Sequence, residues 1–284
     1  MAKVHVITDT DSNLPLDLAK KHNIVQVPIT IQFGEESFED LFQIDNKELF
    51  ARIDSSGKLP TTAAPSPAAF SKAFTEAFDK GADSIICITV GSKISRTHES
   101  ALVAAAELPE KKITIIDSGH LSLAEGFIAI TAAEALAAGK SHEEAVTAAE
   151  SLITRAYLFG SLSTLKYLAL GGRVSTIAAS MANLLNIRPI LTMQNNKLEL
   201  LEKVRTHKVA MARLVELLVG SVGGRPIERA AILHVNNLAD ANHLEAELRK
   251  KLALPDDLLL VDFGPGLSVH AGAGMVGAVL VAKE

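Results

Sequence analysis

Residues 90–107 of the 284-residue chain, VGSKISRTHESALVAAAE, crowd Ser92, Ser95, Thr97 and His98 between an apolar run, SIICITV, and an alanine-rich segment. Side chains of these types support two kinds of chemistry there. As caps they satisfy the free N–H groups of a first helical turn. As ligand contacts they donate to an anionic group, helped by the partial positive charge of a helix start and without a cation beside it. Two more polar segments have the same character, TTAAPSP at 61–67 and FGPGLSVHAGAG at 263–274, the second carrying His270. An enzymatic reading is also open. Ser95 as nucleophile, with His98 or His270 as base, would make a hydrolase or a phosphotransferase, although no serine lies in a G-x-S-x-G turn.

Several other motifs fail on context. GAGMVG at 272–277 matches the dinucleotide pattern, but the seven residues after Gly277 have strand character, where that fold needs a helix and a second strand. GKS at 139–141 has Glu134 where a phosphate loop requires glycine. Asp9 and Asp11 follow an apolar run as in aspartyl phosphotransferases, yet the acidic pair Asp256–Asp257 precedes its strand. Asp11 and Ser12 fit a capping role at the next helix instead. Nine histidines without H-E-x-x-H, and a single cysteine, indicate no metal site.

These groups need a scaffold. Apolar residues make up 48% of the chain and charged residues 21%, which describes a folded chain long enough for two domains. A net charge of −5 argues against general affinity for nucleic acid or anionic membranes. Cys87 has no partner for an internal disulfide and reads as a small core residue, which suits a reducing cytoplasm. The opening MAKVHVITDTDS lacks the apolar stretch of a signal peptide, and no run of about 20 apolar residues predicts a membrane span.

Strands are predicted at 3–8, 84–90 and 112–118, with one long strand or a pair at 24–33. Helices are predicted from Pro15, at 45–54, from Ser66 to Gly81, after the 90–98 loop, and over 122–138 and 141–159. Alternation of this kind favours a mainly parallel sheet with helices on both faces. The second half reads as helices at STLKYLALGG and STIAASMANLLN, a hairpin turning at QNNK, a helix at 206–220, strands at RAAILHV and LLLVDFG around the helix LADANHLEAELRKKL, and a last strand GMVGAVLVAK. The expected fold is a two-domain α/β protein, 1–160 with a mainly parallel sheet and 161–284 smaller with a mixed sheet. In such a parallel sheet the crevice at the carboxyl ends of the strands is the default ligand site.

Taken in order, VITDTDSNLP, LPTTAAPSP, ITVGSKISRTHESA, IIDSGHLSLAEGF, LKYLALGGRVS, IRPIL and FGPGLSVHAGAGMVGAV span nearly the whole chain. Together they resemble the DegV family of bacterial fatty-acid-binding proteins. The resemblance implies a long-chain fatty acid such as palmitate, buried between two α/β domains with its carboxylate at hydroxyl side chains. Thr62 matches the family's loop threonine, Ser95 the serine of its strand-to-helix turn, and His270 the histidine of the glycine-rich C-terminal loop. Two departures stand out. The family usually carries Ser-Gln where this chain has Ala63 and Ala64, and glycine where it has Arg96.

The resemblance further implies a carrier with no catalytic activity or cofactor of its own, handing the acid to a fatty acid kinase that forms an acyl phosphate. Arg173, after a glycine pair, and Arg205, in EKVRTHK, would dock that partner. No nucleic-acid partner, and at most transient membrane contact, is expected. Burial of about 14 methylenes at about 0.8 kcal/mol each supplies on the order of 11 kcal/mol before ordering costs. A charge at a helix terminus adds only about 0.3–2 kcal/mol. An apolar cavity would therefore supply affinity, and the hydroxyls would select a carboxylate.

Overall fold

The computed structural model describes residues 3–172 and 187–284. In chain order the elements are β1 (Val4–Asp9), α1 (Leu16–Lys21), β2 (Ile24–Val27), β3 (Thr30–Phe33), β4 (Glu36–Glu39), α2 (Asn46–Ser56), β5 (Thr61–Ala63), α3 (Pro67–Asp79), β6 (Ser84–Thr89), α4 (Thr97–Ala106), β7 (Lys112–Asp117), α5 (Leu123–Ala137), α6 (His142–Ile153), β8 (Ala156–Ser161), α7 (Lys166–Gly171), β9 (Arg188–Gln194), β10 (Lys197–Val204), α8 (His207–Ser221), β11 (Ile227–His234), α9 (Leu238–Arg249), β12 (Leu259–Asp262), α10 (Pro265–Ala271) and β13 (Val276–Ala282). A 3-10 turn, Thr10–Ser12, follows β1 directly. Contacts gather the chain into two units, Met1–Gln43 with Thr62–Thr154, and Ile44–Thr61 with Arg155–Glu284.

In the first unit β2, β1, β6 and β7 lie in that order and every pair is parallel. All six residues of β6 are buried, as a central strand covered on both faces requires. Ile7, Ile85 and Cys87 pack one face against Phe70 and Phe74 of α3 and Ala101 and Ala104 of α4. Cys87 is thus the core residue its context implied. On the other face Thr8 meets α5. α5 is buried continuously from Leu123 to Ile130. Helix starts follow local chemistry where predicted, with Ser66 Oγ accepting from Ala69 N at 3.2 Å and Pro67 in the first turn of α3. β3 and β4 form an antiparallel hairpin, with β5 completing a small three-stranded sheet on the far side of β3.

The second unit carries a mixed six-stranded sheet in the order β10-β9-β8-β13-β11-β12, antiparallel except for β11–β12. Met211, Leu214 and Leu218 of α8 and Leu244 and Leu248 of α9 pack on Ile190, Ile232, Ala278 and Leu280 of the sheet. A mainly parallel sheet and a mixed sheet are both present, as the α/β reading requires.

Local departures from the sequence reading have physical causes. The helix expected over 141–159 ends at Ile153, and Ala156–Ser161 forms β8 between β9 and β13. Tyr157 and Phe159 are strand formers, and pairing on both edges outweighs a helical continuation. TTAAPSP is not all loop, since Thr61–Ala63 is a strand. Within FGPGLSVHAGAG lies a two-turn helix, α10, started by Pro265 at its first position. GAGMVG runs from the end of α10 into β13. The predicted helix at STIAASMANLLN, and Arg173, lie outside the described residues. Among the described residues no helix is long and apolar enough to cross a membrane.

Candidate functional site

All four strands of the first sheet end on one edge, and three loops leave it there. Asp9, the last residue of β1, is fully buried. Its Oδ1 accepts from Asp11 N and its Oδ2 from Val90 N, both at 2.9 Å. Asp117, the last residue of β7, accepts from Ser92 N at 3.0 Å and Gly119 N at 3.1 Å through Oδ1. Because β6 runs between β1 and β7, the two carboxylates grip the loop after β6 from both sides. Gly91 N donates to the His120 carbonyl at 2.7 Å, adding a third tie. The SKISR turn is held at its base before its own bonds are counted.

Ser95 sits on that turn, half-buried. Its Oγ lies 2.8 Å from Thr97 Oγ1 and accepts from Thr97 N at 3.3 Å. It therefore satisfies a first-turn N–H from just outside the helix, while Arg96 holds the capping position with no side-chain bond. The Arg96 guanidinium points to solvent and pairs with Glu99 at 3.4 Å. His98 Nδ1 lies 3.0 Å from Thr89 Oγ1. The imidazole is turned to the strand end, and the Ser95–His98 couple that a nucleophilic reading needs is not formed.

Thr62 lies half-buried on β5 between exposed Thr61 and Ala63, in the same unit as Ser95. His270 belongs to the second unit, on α10. Its ring lies directly on Gly171, the last residue of α7, where an added Cβ would overlap Nδ1. Glycine at 171 is a packing requirement of the histidine. Asn46 of α2 donates through Nδ2 to the Phe263 carbonyl at 2.6 Å and to Asp262 Oδ2 at 3.0 Å, fixing the chain that enters α10. Arg205 is exposed between β10 and α8. The second unit also has a groove of about 520 Å³ between α8 and β8–β10, lined by Tyr157, Phe159, Met193, Leu201, Arg213 and Leu217. None of the residues singled out from the sequence lines it.

The sequence reading missed two buried groups behind the first unit's loops. Glu125 of α5 is fully buried, accepts from Thr8 Oγ1 at 2.9 Å through Oε1, and its Oε2 has no partner among the described residues. Burial, then the charge of Asp9, pushes its carboxyl well above the usual carboxylate range. Burial also raises Asp9, against the pull of the Val90 and Asp11 N–H groups. Ser122, before α5, is buried at φ 55 and ψ −152, and its Oγ has no partner among the described residues. Ser122 and Glu125 have capping-box spacing, but that backbone is not the extended one a cap needs, and Glu125 turns inward. The box does form at Ser141 and Glu144. The expected cap by Asp11 and Ser12 is replaced. Asp9 caps the 3-10 turn, Ser12 Oγ donates to the Asp9 carbonyl at 2.7 Å, and α1 starts at Pro15 with no side-chain cap.

A family model described as "Uncharacterised protein, DegV family" matches residues 3–283. A DegV domain-containing protein of Streptomyces coelicolor is 32% identical over 280 residues, covering 99% of each chain. Among solved structures, a DegV family protein of Thermus thermophilus, described by its fatty acid binding, aligns with a TM-score of 0.91 at 28% identity, over 99% of this chain and 100% of its own. DegV of Bacillus subtilis, described as a fatty acid binding protein, aligns with a TM-score of 0.86 at 30% identity over 100% of both chains.

Proposed function

This chain belongs to the DegV family, and from that premise we propose that it binds a long-chain fatty acid such as palmitate and presents the carboxylate to a fatty acid kinase. The observation that carries the reading is likeness over the whole chain to proteins described as fatty-acid binding. Thr62 and Ser95 donate hydroxyls to the carboxylate, and His270 orients that network. Half-burial of all three suits groups that meet a ligand. The clamped turn adds a physical reason, since a donor held before the ligand arrives loses little freedom on binding. The alkyl chain supplies most of the affinity and the polar head fixes the orientation.

The protein acts as a carrier in fatty acid metabolism, with no cofactor and no turnover of its own. Arg205, exposed at the start of α8, offers a cation to the kinase partner, with Arg173 as the second contact. Mass spectrometry of lipid extracted from the purified protein tests the reading. We expect a long-chain acid in wild-type protein and a reduced load in Ser95→Ala. Absence of bound acid, together with no binding of added palmitate, would refute it. Ester hydrolysis or phosphoryl transfer by the isolated chain, lost in Ser95→Ala, would replace it with an enzyme.

A further inference from the structure

We propose that Asp9 and Glu125 form an acid pair that holds one proton between them and, through Asp9, clamps the turn that carries Ser95. The role assigned to the clamp rests on the reading of Ser95 as a head-group contact. The pair itself does not depend on that reading.

Both side chains are fully buried, and they come from different elements, the end of β1 and the first turn of α5. α5 approaches closely because its Gly126 has no side chain. A Cβ there would stand 2.9 Å from the Ser12 carbonyl oxygen and 3.0 Å from the Leu14 side chain. That contact sets Glu125 within hydrogen-bonding reach of Asp9. Two ionised carboxylates cannot share such a space, and one proton converts the repulsion into a hydrogen bond.

The surroundings decide which carboxyl carries it. Asp9 already accepts two backbone N–H bonds, one on each oxygen, which favours its ionised form. Glu125 accepts one hydroxyl bond on Oε1, and its Oε2 meets no donor among the described residues. A proton on Glu125 turns an acceptor into a donor within reach of Asp9. The other groups facing the pair push the same way. Asp11 and Asp117 raise Glu125, Asp40 raises Asp9, and Cys87, beneath both, is held as a neutral thiol.

The consequence reaches the turn through one bond. Asp9 Oδ2 holds Val90 N, the first residue after β6 and five before Ser95. When Glu125 loses its proton, Asp9 faces a buried like charge and the base of the turn loosens. Ser92, held by Asp117 of β7, is an internal control.

The experiment uses the full chain labelled with carboxyl-13C glutamate, titrated by NMR, with the Glu125 resonance identified by its absence in Glu125→Gln. We expect a protonated Glu125 at pH 7 that ionises only at higher pH. Over the same interval, protection of the Val90 amide from hydrogen exchange should fall at least tenfold, corrected for the intrinsic rate, while Ser92 changes less. Glu125→Gln supplies a permanent N–H donor, so its Val90 protection should stay flat with pH. An ionised Glu125 at pH 7, or the wild-type Val90 profile retained in Glu125→Gln, would overturn the proposal. Lipid content of the same samples is measured separately. Empty protein with the expected titration would refute fatty acid binding and leave the acid pair standing.

Discussion

Replacing Ser122 with glycine should stabilise the protein. The residue occupies φ 55 and ψ −152, a region that side-chain-bearing residues enter at a cost of about 1–3 kcal/mol. Its buried hydroxyl has no partner among the described residues, which costs a further 1–3 kcal/mol or about that. Glycine removes both penalties and keeps the main-chain bonds, Ser122 N to the Asp11 carbonyl at 2.7 Å and the Ser122 carbonyl accepting from Glu125 N at 2.9 Å and Gly126 N at 3.0 Å. Against this stand the extra freedom of glycine in the unfolded chain, about 0.5–1 kcal/mol, and a small loss of packing. The net is a gain of about 1–3 kcal/mol. At roughly 2–4 °C per kcal/mol for a chain of this size class, the melting midpoint should rise by several degrees in calorimetry. Ser122→Ala separates the two causes, because it removes the hydroxyl and keeps the strain. It should gain less than glycine does. A glycine variant that melts at or below wild type, or an alanine variant that melts above the glycine variant, would refute the reasoning.

Thr62→Ala and Ser95→Ala should each weaken fatty acid binding in a ligand titration by about 10- to 100-fold, the worth of a hydrogen bond to a charged group, with unchanged circular dichroism. Equal binding by both variants and wild type would remove them from the head-group site. Gly171→Ala should drive a methyl into the His270 ring and cost about 1–3 kcal/mol, read as a lower unfolding midpoint together with weaker acid binding. Arg205→Ala should leave acid binding unchanged and cut acyl phosphate formation several-fold when a fatty acid kinase is supplied, and normal coupled activity would dismiss the docking role.

The elements with strong local signals were readable. The apolar run of β6, the Ser66–Pro67 start of α3 and the polar turn between β9 and β10 depend on neighbours in sequence, and they form as expected. β8 was not readable, because its strand state depends on pairing with β9 and β13, and those partners are far along the chain. The assignment of α2 to the second unit was equally hidden. It rests on contacts such as Asn46 with Asp262 and Phe263, more than two hundred residues away. At the site, the hydroxyl turn was legible as a pattern, since serine and threonine between a strand and a helix have few uses. Its support was not. Asp9 and Asp117 are only acidic residues at the ends of apolar runs in sequence, and the order β1-β6-β7 turns them into clamps on the loop between them. Glu125 did leave a trace, as the one carboxylate inside the continuously buried stretch of α5.

That trace matters for the chemistry of an anionic ligand. The strand ends of the first unit gather Asp9, Asp11, Asp40, Asp117 and Glu125, a poor setting for a carboxylate. A like charge about 10 Å away costs roughly 1.7 kcal/mol at an effective dielectric of about 20. The unit answers with backbone. Asp9 and Asp117 spend their charge on N–H groups of the very turn that carries Ser95. A proton on Glu125 removes one charge outright. The acids thereby act as framework for the turn, and on the proposed reading the hydroxyls meet the ligand in their place. Arg96, next to Ser95, is kept outward by Glu99, which on the proposed reading leaves the selection of a carboxylate to hydroxyl geometry.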